Sequence, residues 1–314
     1  MSAQSVEPTH EAVFDDSNWI VPGLEIDSLY KSESFAVTAW NCRCGRSGMS
    51  DEKIQLEYVI SFVHEGVFVL HSEGRSEVID RTTAVLFNPE APFRSSHPYG
   101  CSDHGSALVV RRDVLLDVMS HYDPAAHERP EALFRNPLGS DLSQAYLRHR
   151  LIVQGLTQGA APDPFALDAT LLEILGAVAK SSVPDTRRTG TAESPRARRR
   201  YVHDAQLILQ KRFRERFRLE DVARELYVSP FHLCRLFKEE TGIPMHRYVN
   251  RLRLRESLEQ LTEGAPLTEL ALSLGFAGHS HFTTAFRKEF GVAPSAVRRQ
   301  ANATLLAEMR KSLS

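Results

Sequence analysis

One pattern occurs twice between Leu219 and Phe290, and it restricts that stretch to a paired helical unit. The first copy reads Leu219-Glu-Asp-Val-Ala-Arg-Glu-Leu226, then Tyr-Val-Ser-Pro, then Phe231-His-Leu-Cys-Arg-Leu-Phe-Lys238. The second reads Leu267-Thr-Glu-Leu-Ala-Leu-Ser-Leu274, then Gly-Phe-Ala-Gly, then His279-Ser-His-Phe-Thr-Thr-Ala-Phe-Arg-Lys288. In each, apolar residues at helical spacing stop at a short turn signal and then resume. The spacing predicts a short helix, a tight turn and a second helix. In such a helix-turn-helix, the second helix can enter the major groove of DNA.

The local chemistry agrees. Ser229 suits an N-cap and Pro230 the first helical position, and Gly242 with Pro244 should end that helix. Leu233, Leu236 and Phe237 fall on one face, leaving Phe231, His232, Cys234, Arg235 and Lys238 for DNA or solvent. In the second copy Ala271 takes the place of Ala223, and Gly275 opens the turn, where a left-handed backbone is expected. Phe282 and Phe286 should pack inward, leaving His279, His281, Thr283, Thr284, Arg287 and Lys288 outward. The second turn counts one residue longer than the first.

Residues 246–263, with Arg247, Arg251, Arg253 and Arg255, read as a helix joining the two copies. Its 18 residues would span about 27 Å. Major-groove faces on one side of DNA recur about every 34 Å, so such a helix can seat two recognition helices in successive groove segments. Arg235 can grip guanine O6 and N7, hydroxyls can donate or accept, and the linking-helix arginines are expected on phosphates.

Charge is distributed to match. Residues 196–314 hold 22 Lys and Arg against 13 Asp and Glu, a net of +9. Residues 1–195 hold 16 and 27, a net of −11. A basic C-terminal third on an acidic remainder is the electrostatic pattern of a nucleic-acid-binding domain joined to something else.

Residues 35–111 have a β texture: short segments rich in β-branched and aromatic residues, separated by turn signals such as Glu65-Gly66, Glu73-Gly74 and Asn88-Pro89. This suggests a sandwich or jelly-roll barrel. Helical spacing follows over Val114 to Tyr122, Leu138 to about Gln154 and Pro164 to about Lys180. The last carries a wide stripe (Leu167, Leu171, Leu172, Ile174, Leu175, Val178) that suits packing on the barrel or a dimer contact. The expected organisation is a weakly ordered segment 1–32, a domain 33–180, a linker 181–200, a helical domain 201–300 and a tail 301–314.

Residues 201–300 resemble the AraC/XylS family of bacterial transcription regulators. The match lies in Ser229-Pro-Phe-His-Leu-Cys-Arg-Leu-Phe-Lys-Glu-Glu-Thr-Gly242, Arg251-Leu-Arg-Leu, Ala271-Leu-Ser-Leu-Gly-Phe-Ala and Phe282-Thr-Thr-Ala-Phe-Arg-Lys-Glu-Phe-Gly291. The resemblance implies base contacts by Phe231, Cys234, Arg235, His279, His281, Thr283 and Thr284. By residue type and placement, Ser229, His232, Lys238, Arg251, Arg287 and Lys288 are expected on the DNA backbone. Cys234 departs from the polar residue the family carries there. The resemblance also implies an α+β chain. Its N-terminal cupin-like β-barrel with packing helices would sense a small molecule and form a homodimer, ahead of an all-α domain with two helix-turn-helix motifs. Double-stranded DNA is the implied partner, with RNA polymerase joining if the protein activates. The alternatives are a constitutive DNA-binding dimer and a cupin enzyme.

Cupin enzymes hold a metal with a His-x-His pair. The histidines of the barrel region, His64, His71, His97 and His104, stand apart, so an enzyme is disfavoured. A different group remains: Cys42 and Cys44 would share a strand face, and His97, Cys101 and His104 lie together in a later loop. These five offer enough soft ligands for zinc or another thiol-bound metal, or for a thiol sensor. Buried inert cysteines and surface histidines are the plainer reading. Four cysteines in 314 residues do not suggest a disulfide scaffold. No apolar run approaches the ~18 residues of a membrane span, and the expected location is cytoplasmic, with the nucleoid.

Overall fold

A computed structural model of the chain describes residues 23–43, 48–100, 103–139, 141–182, 195–215, 218–262 and 265–302. Among these residues the N-terminal region contains ten strands: β1 (Leu24–Lys31), β2 (Phe35–Cys42), β3 (Lys53–Ile54), β4 (Tyr58–Glu65), β5 (Val67–Ser72), β6 (Arg75–Asp80), β7 (Ala84–Phe87), β8 (Pro92–Ser96), β9 (His104–Val110) and β10 (Leu138–Gly139). They form a six-stranded sheet ordered β1-β2-β9-β4-β7-β10 and a four-stranded sheet ordered β3-β8-β5-β6, and every pairing is antiparallel. Among the described residues no ladder joins the two sheets, so the expected barrel is an open pair of sheets here.

Alternation along the central strands divides their side chains between two apolar layers. Ala36, Val59, Val63 and Val109 meet Leu70, Ile79 and Phe93 of the smaller sheet. Val37, Ile60, Phe62 and Leu108 face the other way, under helices α1 (Arg112–Ser120), α2 (Ser143–Thr157) and α3 (Pro164–Ser182). The α3 stripe is spent within the chain: Leu167, Leu171, Ile174, Leu175 and Val178 are buried, and Leu172 points outward.

Several sequence boundaries move. Residues 24–31, placed in a weakly ordered segment, form the edge strand β1 paired along β2. Its alternate residues are only half-buried, which weakened the apolar signal. Residues 195–200, placed in the linker, are the first turns of α4 (Pro195–Arg212), where Arg198 pairs with Glu240 at 2.7 Å. Helix α2 begins at Ser143 rather than Leu138, because Leu138 and Gly139 pair with β7.

The C-terminal region continues with α5 (Leu219–Glu225), α6 (Pro230–Thr241), α7 (Met245–Thr262), α8 (Leu267–Ser273), α9 (His279–Phe290) and α10 (Pro294–Asn302). It holds two cores. Val202, Leu209, Val222, Leu233, Phe237, Tyr248 and Leu252 close the first around α4–α7. Leu258, Leu270, Phe282, Phe286 and Val297 form the second, which is continuous with the helix-covered layer of the N-terminal region. Helix α7 takes part in both.

Candidate nucleic-acid interface

The two helix-turn-helix units have matching helices and unequal turns. Helices α5 and α8 each have 7 residues, and α6 and α9 each have 12. Helices α6 and α9 both end in a left-handed glycine, Gly242 at φ 77° and Gly291 at φ 78°. In the first unit, Leu226 caps α5 and α6 starts at Pro230; in the second, Leu274 caps α8 and α9 starts at His279. The extra residue counted from sequence is present. Each turn opens with a left-handed residue, Tyr227 at φ 55° and Gly275 at φ 78°. Only the second needs glycine: a Cβ at Gly275 would lie 2.9 Å from the Arg253 guanidinium carbon, whereas Tyr227 projects into solvent at 96% exposure.

Helix α6 is started by Ser229, whose Oγ accepts the His232 N–H at 3.2 Å. Leu233, Leu236 and Phe237 are fully buried as expected. Phe231 is 81% exposed, Arg235 and Lys238 are exposed, and His232 and Cys234 are half-buried. On α9, Phe282 and Phe286 are buried, His279, His281, Thr284, Arg287 and Lys288 are exposed, and Thr283 is half-buried. The Ala277 N–H donates to His281 Nδ1 at 3.5 Å. Thr283 Oγ1 lies 3.4 Å from His279 Nε2, so these two share one hydrogen-bonding set. Between the units lies a cleft of about 700 Å³ lined by Cys234, Lys238, Asn250, Ala277 and His281.

Residues 222–300 match a family model described as a helix-turn-helix domain. Regulatory protein PocR of Salmonella typhimurium is 40% identical over 86 residues, 27% of this chain and 28% of that protein. The transcriptional activator RhaS of Escherichia fergusonii is 38% identical over 98 residues, 31% of this chain and 35% of that protein. The C-terminal region is an AraC-type helix-turn-helix domain. The chain thus spans about a third of the length of these relatives. The C-terminal domain of AraT from Geobacillus stearothermophilus, a solved structure, is 34% identical, covering 35% of this chain and 88% of that one, with a TM-score of 0.31.

The linking helix of the AraC-type domain departs from expectation. It was expected to hold phosphates through Arg247, Arg251, Arg253 and Arg255, and only Arg247 is exposed. Arg251 is 4% exposed, with Nη2 bonded to Asp141 and Nε 2.6 Å from Glu289 Oε1. Two carboxylates hold it inward, which corrects its assignment as a backbone contact. Arg255 is 2% exposed, donates to the Arg81 carbonyl and lies 4.2 Å over the Tyr146 ring; burial pulls its guanidinium down to about 10. Arg253 donates to the carbonyls of Phe213 at 2.6 Å, Glu215 at 2.9 Å and Gly275 at 3.0 Å, tying the two units together. Sequence reasoning missed this clamp, because an arginine on a polar helix face gives no sign of which carbonyls will come to it.

The same helix grips the N-terminal region. Tyr248 donates its hydroxyl to Asp80, and burial beside that carboxylate pushes the phenol well above its usual range. Glu256 pairs with Arg81 and Arg214, and Glu259 takes both donors of the Arg150 fork, Nε at 2.7 Å.

The five residues expected to form a metal group are only partly brought together. Cys44 and Cys101 lie outside the described residues. Cys42 and His97 meet, with Sγ 3.9 Å from Nε2. His104 does not join them. It faces outward beside Glu65, with Nδ1 3.7 Å from Oε2, because it follows Asp103 in an extended chain and side chains alternate. Asp103 takes the inward place, with Oδ2 2.6 Å from His97 Nδ1.

Proposed function

We propose that the chain is a sequence-specific DNA-binding transcription regulator. The carrying observation is the pair of matched units whose second helices expose Arg235 and Lys238 on one side and His279, His281 and Thr284 on the other. Both pack on one 18-residue helix, which at about 1.5 Å per residue is about 27 Å long, of the order of the ~34 Å between successive groove faces. Phe231, Cys234, Arg235, His279, His281, Thr283 and Thr284 read bases; Ser229, His232, Lys238, Arg287 and Lys288 hold the backbone. Residues 24–182, with the edge strand and α3 included, act as a cupin-like module that senses a small molecule and forms a homodimer, ahead of the DNA-binding domain that begins with α4. The activators among its relatives support RNA polymerase as a further partner and a cytoplasmic, nucleoid location, with no catalytic role.

The test is selection from a random duplex library, followed by titration of the enriched sequence at several salt concentrations. Enrichment of a two-part site is expected, with log K falling by about 0.9 per phosphate contact for each unit of log salt. No enrichment, or a slope near zero, would overturn the reading.

A further inference from the structure

Behind the interface, between the two sheets, lies a cavity of about 90 Å³. That is room for several waters or a small molecule. Its walls are largely apolar, with Trp40, Val59, Phe68 and Phe93 among them. At one end sit Cys42, His97 and Asp103, at 4%, 4% and 2% exposure. Placing a thiol, an imidazole and a carboxylate inside an apolar layer costs stability that aliphatic residues would not.

The group is held in place by backbone built around it. Cys42 N–H donates to the Asp103 carbonyl at 2.8 Å. Asp103 Oδ1 accepts the Val67 N–H at 2.9 Å, and Oδ2 accepts from His97 Nδ1. Gly66 makes room for it: at φ +91°, a Cβ there would fall 2.0 Å from Asp103 Oδ1. With Nδ1 on the carboxylate, Nε2 is turned toward the Cys42 sulfur. A carboxylate behind an imidazole that presents its other nitrogen is the usual arrangement behind a metal-binding histidine.

The geometry points to a binding site for a zinc-class divalent ion, ligated by Cys42 Sγ and His97 Nε2 with Asp103 orienting the histidine. An ion about 2.3 Å from sulfur and about 2.0–2.1 Å from nitrogen would span the 3.9 Å gap at an angle of about 125–130°, so a few tenths of an ångström of closure would bring it to tetrahedral. Thiolate with imidazole selects zinc over magnesium or calcium. Binding exchanges the Cys42 thiol proton for the ion, and the remaining coordination positions open toward the cavity. The site is separate from the DNA-reading helices, so it stands or falls apart from the proposed function.

The experiment uses the full chain, stripped with chelator and titrated with zinc and with cobalt. One equivalent of zinc is expected, and the cobalt form should show a thiolate-to-metal charge-transfer band. Cys42→Ser should abolish that band, and His97→Ala should weaken zinc binding by at least 100-fold. Asp103→Asn should weaken it about 10–100-fold, as outer-shell partners do. Cys234→Ser should bind as the parent does. Circular dichroism checks that each variant is folded, and the parent's cobalt spectrum decides the matter if one is not. No retained metal, a cobalt spectrum without the thiolate band, or equal binding by folded Cys42→Ser would overturn the site.

Discussion

Arg81, one residue past strand β6, forms a buried ion pair with Glu256 on the helix that joins the two helix-turn-helix units. Side-chain exposure is 4% and 9%. Burial works against the Glu256 carboxylate, yet the Arg81 and Arg214 guanidinium groups outweigh it and hold the carboxyl below its usual range. Removing one partner strands the other. Glu256→Ala should therefore cost about 3–5 kcal/mol in urea unfolding, whereas Arg81→Met with Glu256→Leu should recover most of it. A loss below 1 kcal/mol for the single variant would show that water reaches the pair.

Gly275→Ala tests the second turn. The residue sits at φ +78°, and an added Cβ would press on Arg253 at 2.9 Å and on the Arg214 carbonyl at 3.2 Å. Left-handed strain alone costs about 1–2 kcal/mol, and displacing Arg253 loosens three carbonyl contacts. The variant should melt at lower temperature and bind DNA less tightly. An unchanged melting temperature would mean that the turn relaxes freely.

His149 makes the N-terminal region acid-sensitive. It is fully buried, with Nε2 2.8 Å from Ser106 Oγ, and burial, reinforced by the Arg150 charge, pulls its imidazole down to about 3. In the unfolded chain it protonates near 6.5. Below that pH the unfolded chain takes up a proton that the folded chain refuses, so stability falls as pH drops from about 6.5 toward 3. The slope is at most about 1.4 kcal/mol per pH unit from this group, and it contributes no pH dependence above that window. In urea melts at pH 7.5, 6.0 and 5.0, wild type should lose stability relative to His149→Leu as pH falls; parallel curves would acquit His149.

The DNA-facing residues divide by what they change. Arg235→Ala and Thr284→Ala should relax sequence preference, by about 1–3 kcal/mol for a bidentate contact. Lys238→Ala, Arg287→Ala and Lys288→Ala should weaken all sequences alike and reduce the salt slope by about 0.9 each. Arg251→Ala should leave the slope unchanged and lower the melting temperature instead, since its guanidinium serves Asp141 and Glu289. A reduced slope for Arg251→Ala would place that residue on DNA after all.

What could be read from sequence was what local spacing dictates. The two units, their caps at Ser229, Gly242 and Gly291, and the longer second turn follow from residues a few positions apart. The linking-helix arginines did not, because their carboxylate and carbonyl partners come from other elements: Asp141 and Arg81 lie more than 100 residues away, and the carbonyls that Arg253 meets lie 22 to 40 residues away. The group of Cys42, His97 and Asp103 was half legible. Cys42 and His97 stood out by type, whereas choosing Asp103 over His104 required knowing which way each faces. A carboxylate next to a candidate histidine loop was the available signal. Strand β1 was missed because an edge strand need bury only alternate residues, and partially.

The two recognition helices stand on different ground. Helix α6 rests on a core of its own, while the inner face of α9 belongs to the same apolar mass as the helices over the six-stranded sheet. A chain cut between Ser182 and Pro195 would therefore not yield two finished halves: the C-terminal piece would bare the apolar face that α9 shares with α2 and would leave Tyr248 of the first unit without Asp80. The second unit is, in construction, as much an outgrowth of the N-terminal region as a neighbour of the first.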